Sequence, residues 1–281
     1  MNHYCYFNGQ ILPEDAIRFQ INDLGILRGY SVFDYLRTYN FTPFLLQDYL
    51  IRFENSVKSI DLSLPISKEE IAEKIDELLF WRADKTQDVG IRLLMTGGYS
   101  ENGFNAPENP NFLIRIEDLR PKPSTDYEQG VKVITHQYQR ELPEIKTTNY
   151  SRALIIQKAM QVQKAVDALY HLDGNISECT RNNFFLFKGN TLVTPKNNIL
   201  RGITRKTVLE LASNKFQVEE RDIYLEELKE ATEAFKTGTN TRVLPVIQID
   251  ELKINKKQVG PNTKALMQMF ADFAHESTLM D

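Results

Sequence analysis

The hydrophobic and polar positions at the start of the chain form the pattern of short strands broken by turns. Three β-prone runs occupy residues 4–12, 16–21 and 31–40. The Asn8-Gly9 pair in the first run is typical of a hairpin turn, because both residues tolerate positive φ. We therefore predict a hairpin at this pair and two further strands in the following residues.

The pattern becomes helical from about Leu46, where apolar residues recur every three or four positions. A second helix is predicted to begin at Ser67, because Ser67 and Glu70 have the spacing of a capping box ahead of an apolar stripe. Two strands are then predicted, over residues 89–98 and 111–119.

Two prolines and few apolar residues mark residues 119–125 as a linker. The elements predicted after this linker are a strand over residues 131–139, a helix over 151–169, a hairpin across Gly189-Asn190, a helix from Gly202 and a last helix from about Pro261. We therefore predict an α+β protein with a smaller N-terminal domain at 1–118 and a larger C-terminal domain at 126–281.

Composition restricts the possible partners. The chain has 281 residues, a hydrophobic fraction of 42% and a net charge of −4, which suits a folded core and gives no attraction to nucleic acid. No apolar run approaches the roughly 20 residues that span a bilayer, so we expect no membrane partner. The two cysteines, Cys5 and Cys179, are too few for a metal site or a disulfide framework, which favours buried thiols and a cytoplasmic location.

Six segments carry the candidate chemistry, and their order is more informative than any one of them. They read FNGQILPEDAIRFQINDLGILRGYSVFDYLRTY, LLQDYLIRFENS, IKTTNYSRAL, DGNISECTRNNFFLFKGNTLVTP, ILRGITRKTVLELA and EAFKTGTNTRVLPV. This order resembles the class IV aminotransferase family over roughly residues 4 to 270. The resemblance implies the two-domain D-amino acid aminotransferase-like fold, called fold type IV, with pyridoxal 5′-phosphate (PLP) at the domain interface.

The resemblance places the catalytic lysine at Lys146, in the segment IKTTNYSRAL. A lysine suits this role because its amine can hold the aldehyde of PLP as a Schiff base and then shuttle a proton. Glu178 follows Lys146 by 32 residues and matches the carboxylate that faces the pyridine nitrogen. A carboxylate there keeps the nitrogen protonated, so that the ring accepts electrons from the substrate.

The same resemblance assigns the remaining cofactor contacts. Arg52, Ile203, Thr204 and Thr239 would hold the phosphate, since a turn that opens a helix offers N–H donors to an anion and arginine adds a charged, bidentate contact. Two further residues have less specific matches. Tyr150 either bonds the phenolic oxygen of PLP or packs, and Asn183 orients Glu178 or the ring, or completes a turn.

The substrate is less clearly indicated than the cofactor. Our leading hypothesis is transfer of an amino group from an amino acid to a 2-oxo acid, of the branched-chain or D-amino acid type. The alternative within the family is aminodeoxychorismate lyase, which releases pyruvate and 4-aminobenzoate. The 32-residue gap between Lys146 and Glu178 favours the D-amino acid and lyase branches, and Asp34-Tyr35 replaces the Glu-Gly of the branched-chain enzymes.

Three arginines are candidates for holding a substrate carboxylate, and each could instead be a surface charge. They are Arg28, together with Arg181 and Arg201, which depart from the family pattern. Tyr35 either narrows the substrate pocket or faces the core. The family resemblance further implies a homodimer in which loops of one subunit complete the site of the other.

Overall fold

The structure is a computed structural model that describes residues 3–278. The helices are α1 (Leu24–Arg28), α2 (Leu46–Lys58), α3 (Lys68–Phe80), α4 (Ser124–Gln129), α5 (Ser151–Ile155), α6 (Gln157–Val162), α7 (Ile203–Ser213) and α8 (Pro261–Glu276). Short 3₁₀ turns occupy Glu14–Ala16, Leu225–Glu230 and Asn255–Lys257.

The strands divide between two sheets. They are β1 (Tyr4–Phe7), β2 (Gln10–Pro13), β3 (Ser31–Tyr39), β4 (Thr42–Pro43), β5 (Val89–Thr96), β6 (Asn111–Asp118), β7 (Val131–Gln137), β8 (Asp167–Leu172), β9 (Asn175–Cys179), β10 (Asn183–Lys188), β11 (Thr191–Thr194), β12 (Gln217–Glu220), β13 (Ile223–Tyr224), β14 (Glu233–Gly238), β15 (Arg242–Ile249) and β16 (Leu252–Lys253).

The chain forms two compact units that are not continuous in sequence. The first contains residues 3–119, 145–149 and 275–278, and the second contains Arg120–Glu144 and Tyr150–Ala274. Each predicted domain is one unbroken stretch of sequence. In the structure, residues 145–149, which include Lys146, belong to the first unit although they follow part of the second unit in sequence. The predicted boundaries at 118 and 126 stay a prediction.

The first unit is built on a six-stranded antiparallel sheet of order β2-β1-β6-β5-β3-β4. The β1–β2 hairpin turns at Asn8 and Gly9, which both have positive φ, as predicted. Helix α3 begins after Ser67, whose side chain accepts from the backbone of Glu70 in the predicted capping box. Helices α2 and α3 pack on one face of the sheet, and both bury an apolar stripe against it.

The second unit contains a ten-stranded sheet in which most neighbours are antiparallel and β7 pairs in parallel with both β8 and β15. Its core is an apolar cluster from several strands, including Val133, Leu169, Phe184 and Leu244. The predicted hairpin across Gly189-Asn190 joins β10 and β11, and α7 packs against β12 and β14. Helices α7 and α8 begin at Ile203 and Pro261, where the sequence predicts them.

Two predicted elements are wrong. Ala16 ends a 3₁₀ turn and residues 17–21 are irregular, so no strand forms over 16–21. The chain continues into α1, which Asp23 caps by accepting from the backbone of Gly25. The predicted helix over 151–169 breaks into α5 and α6 and ends near Lys164, which has positive φ. Its last residues join β8 because pairing with β7 outweighs their local helical pattern.

Other findings bear on the expected partners. Cys5 and Cys179 are both free and buried, as predicted. No helix within residues 3–278 combines the length and the apolar character that a membrane crossing requires. That same part of the chain contains no cluster of three or more His, Cys, Asp or Glu that could hold a metal ion.

Candidate active site

Lys146 lies in a segment that is hydrogen-bonded along β3. The amide of Phe33 donates to the carbonyl of Lys146 at 2.9 Å, and the amide of Thr148 donates to the carbonyl of Ser31 at 3.1 Å. The amide of Lys146 also donates to the hydroxyl of Ser56 on α2, at 3.4 Å. The backbone of Lys146 is therefore held by two elements of the first unit.

The amine of Lys146 lies over an aromatic ring. Its Nζ is 4.7 Å from the ring centroid of Phe33, within the range of a cation–π contact. The side chain is half-buried, which places the amine close to an apolar surface without sealing it. A lysine in this position can be approached by a ligand while its backbone stays fixed.

Arg52 projects from α2 towards the buried face of β3. Its Nε donates to Oδ2 of Asp34 at 2.9 Å, and its Nη2 donates to Oδ1 of Asp34 at 2.6 Å. The guanidinium carbon also lies 5.1 Å from the ring centroid of Tyr49, one helical turn earlier. Because Phe33 and Asp34 are consecutive, Lys146 and Arg52 contact neighbouring residues of the same strand.

Glu178 is a buried carboxylate near the end of β9 in the second unit. Its Oε1 accepts from Nε of Arg140 at 2.7 Å, and its Oε2 accepts from the backbone amide of Leu200 at 3.0 Å. Sequence reasoning missed Arg140, which precedes Lys146 by six residues in a stretch without a distinctive pattern. A buried carboxylate needs such donors to offset the water that it loses.

The turn at residues 200–202 connects Glu178 to the start of α7. Asn183 lies opposite Glu178 in the sheet, and its Nδ2 donates to the carbonyl of Leu200 at 2.8 Å. A Cβ on Gly202 would come within 2.1 Å of Oδ1 of Asn183, so a larger residue there would displace the Asn183 side chain. Asn183 therefore holds the same turn that binds Glu178.

Helix α7 starts without a side-chain cap. Gly202 occupies the N-cap position, and no side chain there bonds the first amides of the helix. Those amides, which include Ile203 and Thr204, are the groups that attract an anion at a helix N-terminus. Both residues are buried. Buried amides of this kind are donors that a phosphate group requires.

The Thr237-Gly238-Thr239 segment contains the last two residues of β14 and the residue after them, and it packs closely against the turn after Glu178. Nδ2 of Asn182 donates to the carbonyl of Thr237 at 3.2 Å, and a Cβ on Gly238 would approach that same Nδ2 to 2.2 Å. The hydroxyl of Thr237 is buried, and residues 3–278 provide no partner for it. Thr239 itself is half-buried at the end of this segment.

The other predicted residues lie in less enclosed positions. Tyr150 is half-buried and immediately precedes α5. Arg28, Arg181 and Arg201 are all exposed. Tyr35 is half-buried, and its ring lies across Gly90 of β5, where a Cβ would meet the phenolic oxygen at 2.0 Å.

The predicted residues thus form two groups. The first unit brings Lys146 and Arg52 to β3. The second unit brings Glu178, Asn183, Ile203 and Thr204 to the turn at residues 200–202. The first group supplies an amine and a guanidinium, and the second supplies a carboxylate and backbone amides. A charged cofactor requires groups of these kinds.

Comparison with known proteins defines the class to which these groups belong. The sequence model of the family described as Amino-transferase class IV matches residues 31–249. Over 280 residues the chain is 34% identical to the putative branched-chain-amino-acid aminotransferase of Methanocaldococcus jannaschii, covering 95% of each. It is 31% identical over 264 residues to D-alanine aminotransferase of Bacillus licheniformis, covering 92% of each. The chain therefore belongs to the class IV aminotransferase family.

A solved structure shows the same fold. The T.th. branched-chain amino acid aminotransferase, determined with pyridoxamine 5′-phosphate, matches with a TM-score of 0.89 at 23% identity, over 98% of this chain and 95% of that one. The predicted α+β, fold-type-IV class is confirmed, as is the prediction of a class IV aminotransferase.

Members of this family use PLP, and the residues described above fit that group. In the second unit, the uncapped amides of α7 are donors that suit a phosphate dianion. In the first unit, the guanidinium of Arg52 carries five N–H donors, of which two are used on Asp34. The buried carboxylate of Glu178 suits a protonated ring nitrogen. Lys146 has the amine that the aldehyde requires.

Proposed function

We propose that this chain is a PLP-dependent aminotransferase in which Lys146 is the catalytic residue. When bound, PLP supplies an aldehyde that takes up the amino group and a ring that accepts electrons from the substrate. Lys146 holds the cofactor at rest and moves a proton between Cα of the substrate and C4′ of the cofactor. The backbone bonds of Lys146 to Phe33 and Ser56 hold the main chain from which its amine would act on the bound cofactor.

The observation that carries this proposal is the turn at residues 200–202. Its Leu200 amide binds Glu178, and its Gly202 opens α7. One short stretch of backbone therefore connects a carboxylate for the ring nitrogen with a set of amides for the phosphate. Asn183 packs so closely on Gly202 that a Cβ at residue 202 would displace its side chain.

The proposal also assigns roles to the remaining residues. Arg140 orients the Glu178 carboxylate against the pyridine nitrogen. Ile203 and Thr204 bind the phosphate through α7, while Arg52 and Thr239 add a guanidinium and a hydroxyl. Asn183 supports the turn, and Tyr150 is assigned to the phenolic oxygen of the cofactor.

The proposed substrates are an amino acid and a 2-oxo acid. The relatives named above act on branched-chain amino acids or D-alanine according to their names, so both donor classes belong in the assay. The lyase alternative needs no 2-oxo acid. Release of pyruvate from aminodeoxychorismate without an acceptor would therefore contradict the aminotransferase proposal.

A homodimer completes the proposal, and exposed apolar side chains support it. Ile26 and Phe104 are largely exposed in the first unit, and the partly exposed Leu27 lies close to Gly103. Ile155 and Val162 are largely exposed in the second unit. Such patches mark protein interfaces when they are contiguous. A monomer by light scattering would contradict this part of the proposal.

The experiment compares the absorption spectrum of the purified protein before and after single amino acids are added. We expect a near-violet band that an active L- or D-amino acid removes, and a slow return when a 2-oxo acid is added. Lys146→Ala should lack this band and lose roughly 10²–10⁴-fold in transamination rate.

The matched control is Lys158→Ala, because Lys158 is an exposed lysine on α6 in a position without a proposed role. It should retain the band and the rate. If Lys146→Ala keeps the band and turns over at the rate of the control, Lys146 is not the catalytic residue.

A further inference from the structure

Asp34 is a charged residue in the interior of the first unit that the proposed reaction does not use. Its side chain is 0% exposed, on the face of β3 that carries α2. Among residues 3–278, three donors reach this carboxylate. They are Nε and Nη2 of Arg52 and the backbone amide of Tyr35, which donates to Oδ1 at 2.7 Å.

The contact determines the plane of the Arg52 guanidinium. A carboxylate that bonds both Nε and Nη2 is coplanar with the guanidinium fork, so rotation of the head group would break at least one bond. The ring of Tyr49 lies 5.1 Å from the guanidinium carbon and restricts it from a second direction. An arginine that is held in this way keeps one orientation instead of sampling many rotamers.

Charge alone does not explain this arrangement. Arg52 is assigned to the phosphate, yet the carboxylate of Asp34 offsets the positive charge that attracts a phosphate. A buried ion pair also gives little net stability compared with apolar residues of the same size. The feature that the pair does supply is a fixed direction for the arginine fork.

We propose that Asp34 is a positioning residue that sets the plane in which Arg52 meets the phosphate of the cofactor. This inference rests on the proposed phosphate-binding role of Arg52. Removal of the Asp34 carboxylate has two opposite effects on phosphate binding, one through charge and one through geometry. Removing the carboxylate makes the surroundings of Arg52 more positive, which favours phosphate, but frees the guanidinium to turn, which disfavours it. In our proposal the loss of orientation is the larger effect.

The test measures dissociation constants of PLP and of pyridoxal, which lacks the phosphate, on apoprotein by absorbance titration. The ratio of the two constants reports the phosphate contacts alone. We expect Asp34→Asn to weaken PLP binding by about tenfold relative to pyridoxal, the size of one charge-assisted contact. Inorganic phosphate should also compete less well with PLP for the Asp34→Asn protein than for the wild type. A ratio that is unchanged, or that shifts in favour of PLP, overturns the proposal.

A double-mutant cycle separates this inference from the function on which it rests. Arg52→Lys keeps the charge and loses the planar fork, so it should also reduce the preference for PLP. Asp34→Asn should add nothing in the Arg52→Lys background, because the oriented group is already gone. If Arg52→Lys leaves the preference intact, a charge at residue 52 suffices without a planar fork, and the proposal for Asp34 is overturned. If Arg52→Met, which removes the charge, also leaves the preference intact, the phosphate role of Arg52 is wrong. If only Asp34→Asn leaves it intact, Arg52 binds phosphate and Asp34 does not position it.

The matched control for general damage is Asp23→Asn. Asp23 is also a fully buried aspartate of the first unit, bonded to Thr96 and Asn111 instead of an arginine. Its loss should lower stability without changing the PLP-to-pyridoxal ratio. Should Asp34→Asn not fold, Asp34→Glu keeps the charge and displaces the carboxylate by one methylene. A reduced preference for PLP in that variant supports the proposal, and an unchanged one overturns it.

Discussion

Two buried ion pairs, one in each unit, differ in how completely they are closed to solvent. In Arg52–Asp34 the charged atoms are 2.6 Å apart, and the side chains are 12% and 0% exposed. In Lys236–Asp167 the distance is also 2.6 Å, but the side chains are 2% and 4% exposed. The arginine of the first pair can still meet a ligand, whereas the lysine of the second can act only on its neighbours.

The closed pair fixes the turn that follows Glu178. Besides Lys236, Asp167 accepts from the amide and the hydroxyl of Thr180, which lies between Glu178 and Asn183. Burial would raise the pKa of Asp167, but the Lys236 ammonium and these hydrogen bonds outweigh it and hold the pKa below its usual value. A buried ion pair that water can reach can therefore offer its charged group to a ligand, whereas one that is closed to water can only hold the backbone around it.

The largest expected effect comes from breaking the closed pair. Lys236→Met should lower the free energy of unfolding by about 3–5 kcal/mol, because it leaves the Asp167 carboxylate buried without a counter-charge. Urea denaturation followed by circular dichroism measures this change.

Two variants test that explanation. Asp167→Asn added to Lys236→Met should recover most of the loss, since the uncompensated charge is gone. Lys188→Met removes a lysine that pairs with Glu227 nearer the surface and should cost roughly 1 kcal/mol or less. Equal losses for Lys236→Met and Lys188→Met would mean that closure to solvent does not distinguish the pairs.

A smaller stability effect is expected for the pair that reaches solvent. Asp34→Asn should cost about 1–3 kcal/mol, because water can compensate the Arg52 charge and the amide oxygen can keep one hydrogen bond. The same urea titration applies. A loss as large as that of Lys236→Met would show that Asp34 is mainly structural, and it would remove the contrast between the two pairs.

The smallest expected effect is a dependence on pH. A carboxylate whose folded pKa lies below its ordinary value of 3.8 stabilises the protein above that pH, and the contribution is lost as the pH falls through the folded pKa. Asp167 should therefore stabilise the wild type at neutral pH and progressively less in acid.

In Lys236→Met, burial acts on Asp167 without the ammonium, so its pKa should rise and the carboxyl should become protonated in milder acid. The stability gap between wild type and this variant should be widest near neutral pH and narrow as the pH falls. Urea titrations at several pH values measure the gap, with the Asp167→Asn, Lys236→Met protein as a reference that lacks both groups. A gap that stays constant into acid contradicts the assignment to Asp167.

Elements with strong local signals could be predicted from the sequence. The turn at Asn8-Gly9 and the start of α3 at Ser67 depend on the conformational and hydrogen-bonding preferences of those residues, which act over a few positions. The strand at residues 16–21 was wrong because its β-prone composition had no paired neighbour. The end of the helix at 151–169 was wrong because β7 draws residues 167–172 into the sheet.

The candidate site was predictable to the extent that it consists of ordered sequence segments. Lys146, Glu178 and the Gly202-Ile203-Thr204 turn were placed by the order of those segments, and their assigned roles stay proposals. Arg140 was missed because nothing near it in sequence indicates that it bonds Glu178. The partnership of Asp34 with Arg52 was missed for the same reason.

The sequence by itself determined the family, the residue types that can carry its chemistry, and the elements with their own turn or cap signals. Only the tertiary structure decided which distant residues meet: the Lys146 segment along β3, Arg140 on Glu178, Asp34 on Arg52 and Lys236 on Asp167. The physical reason is range. Turn and cap preferences act between near neighbours in the chain, whereas ion pairs and strand pairing depend on packing that brings distant segments together.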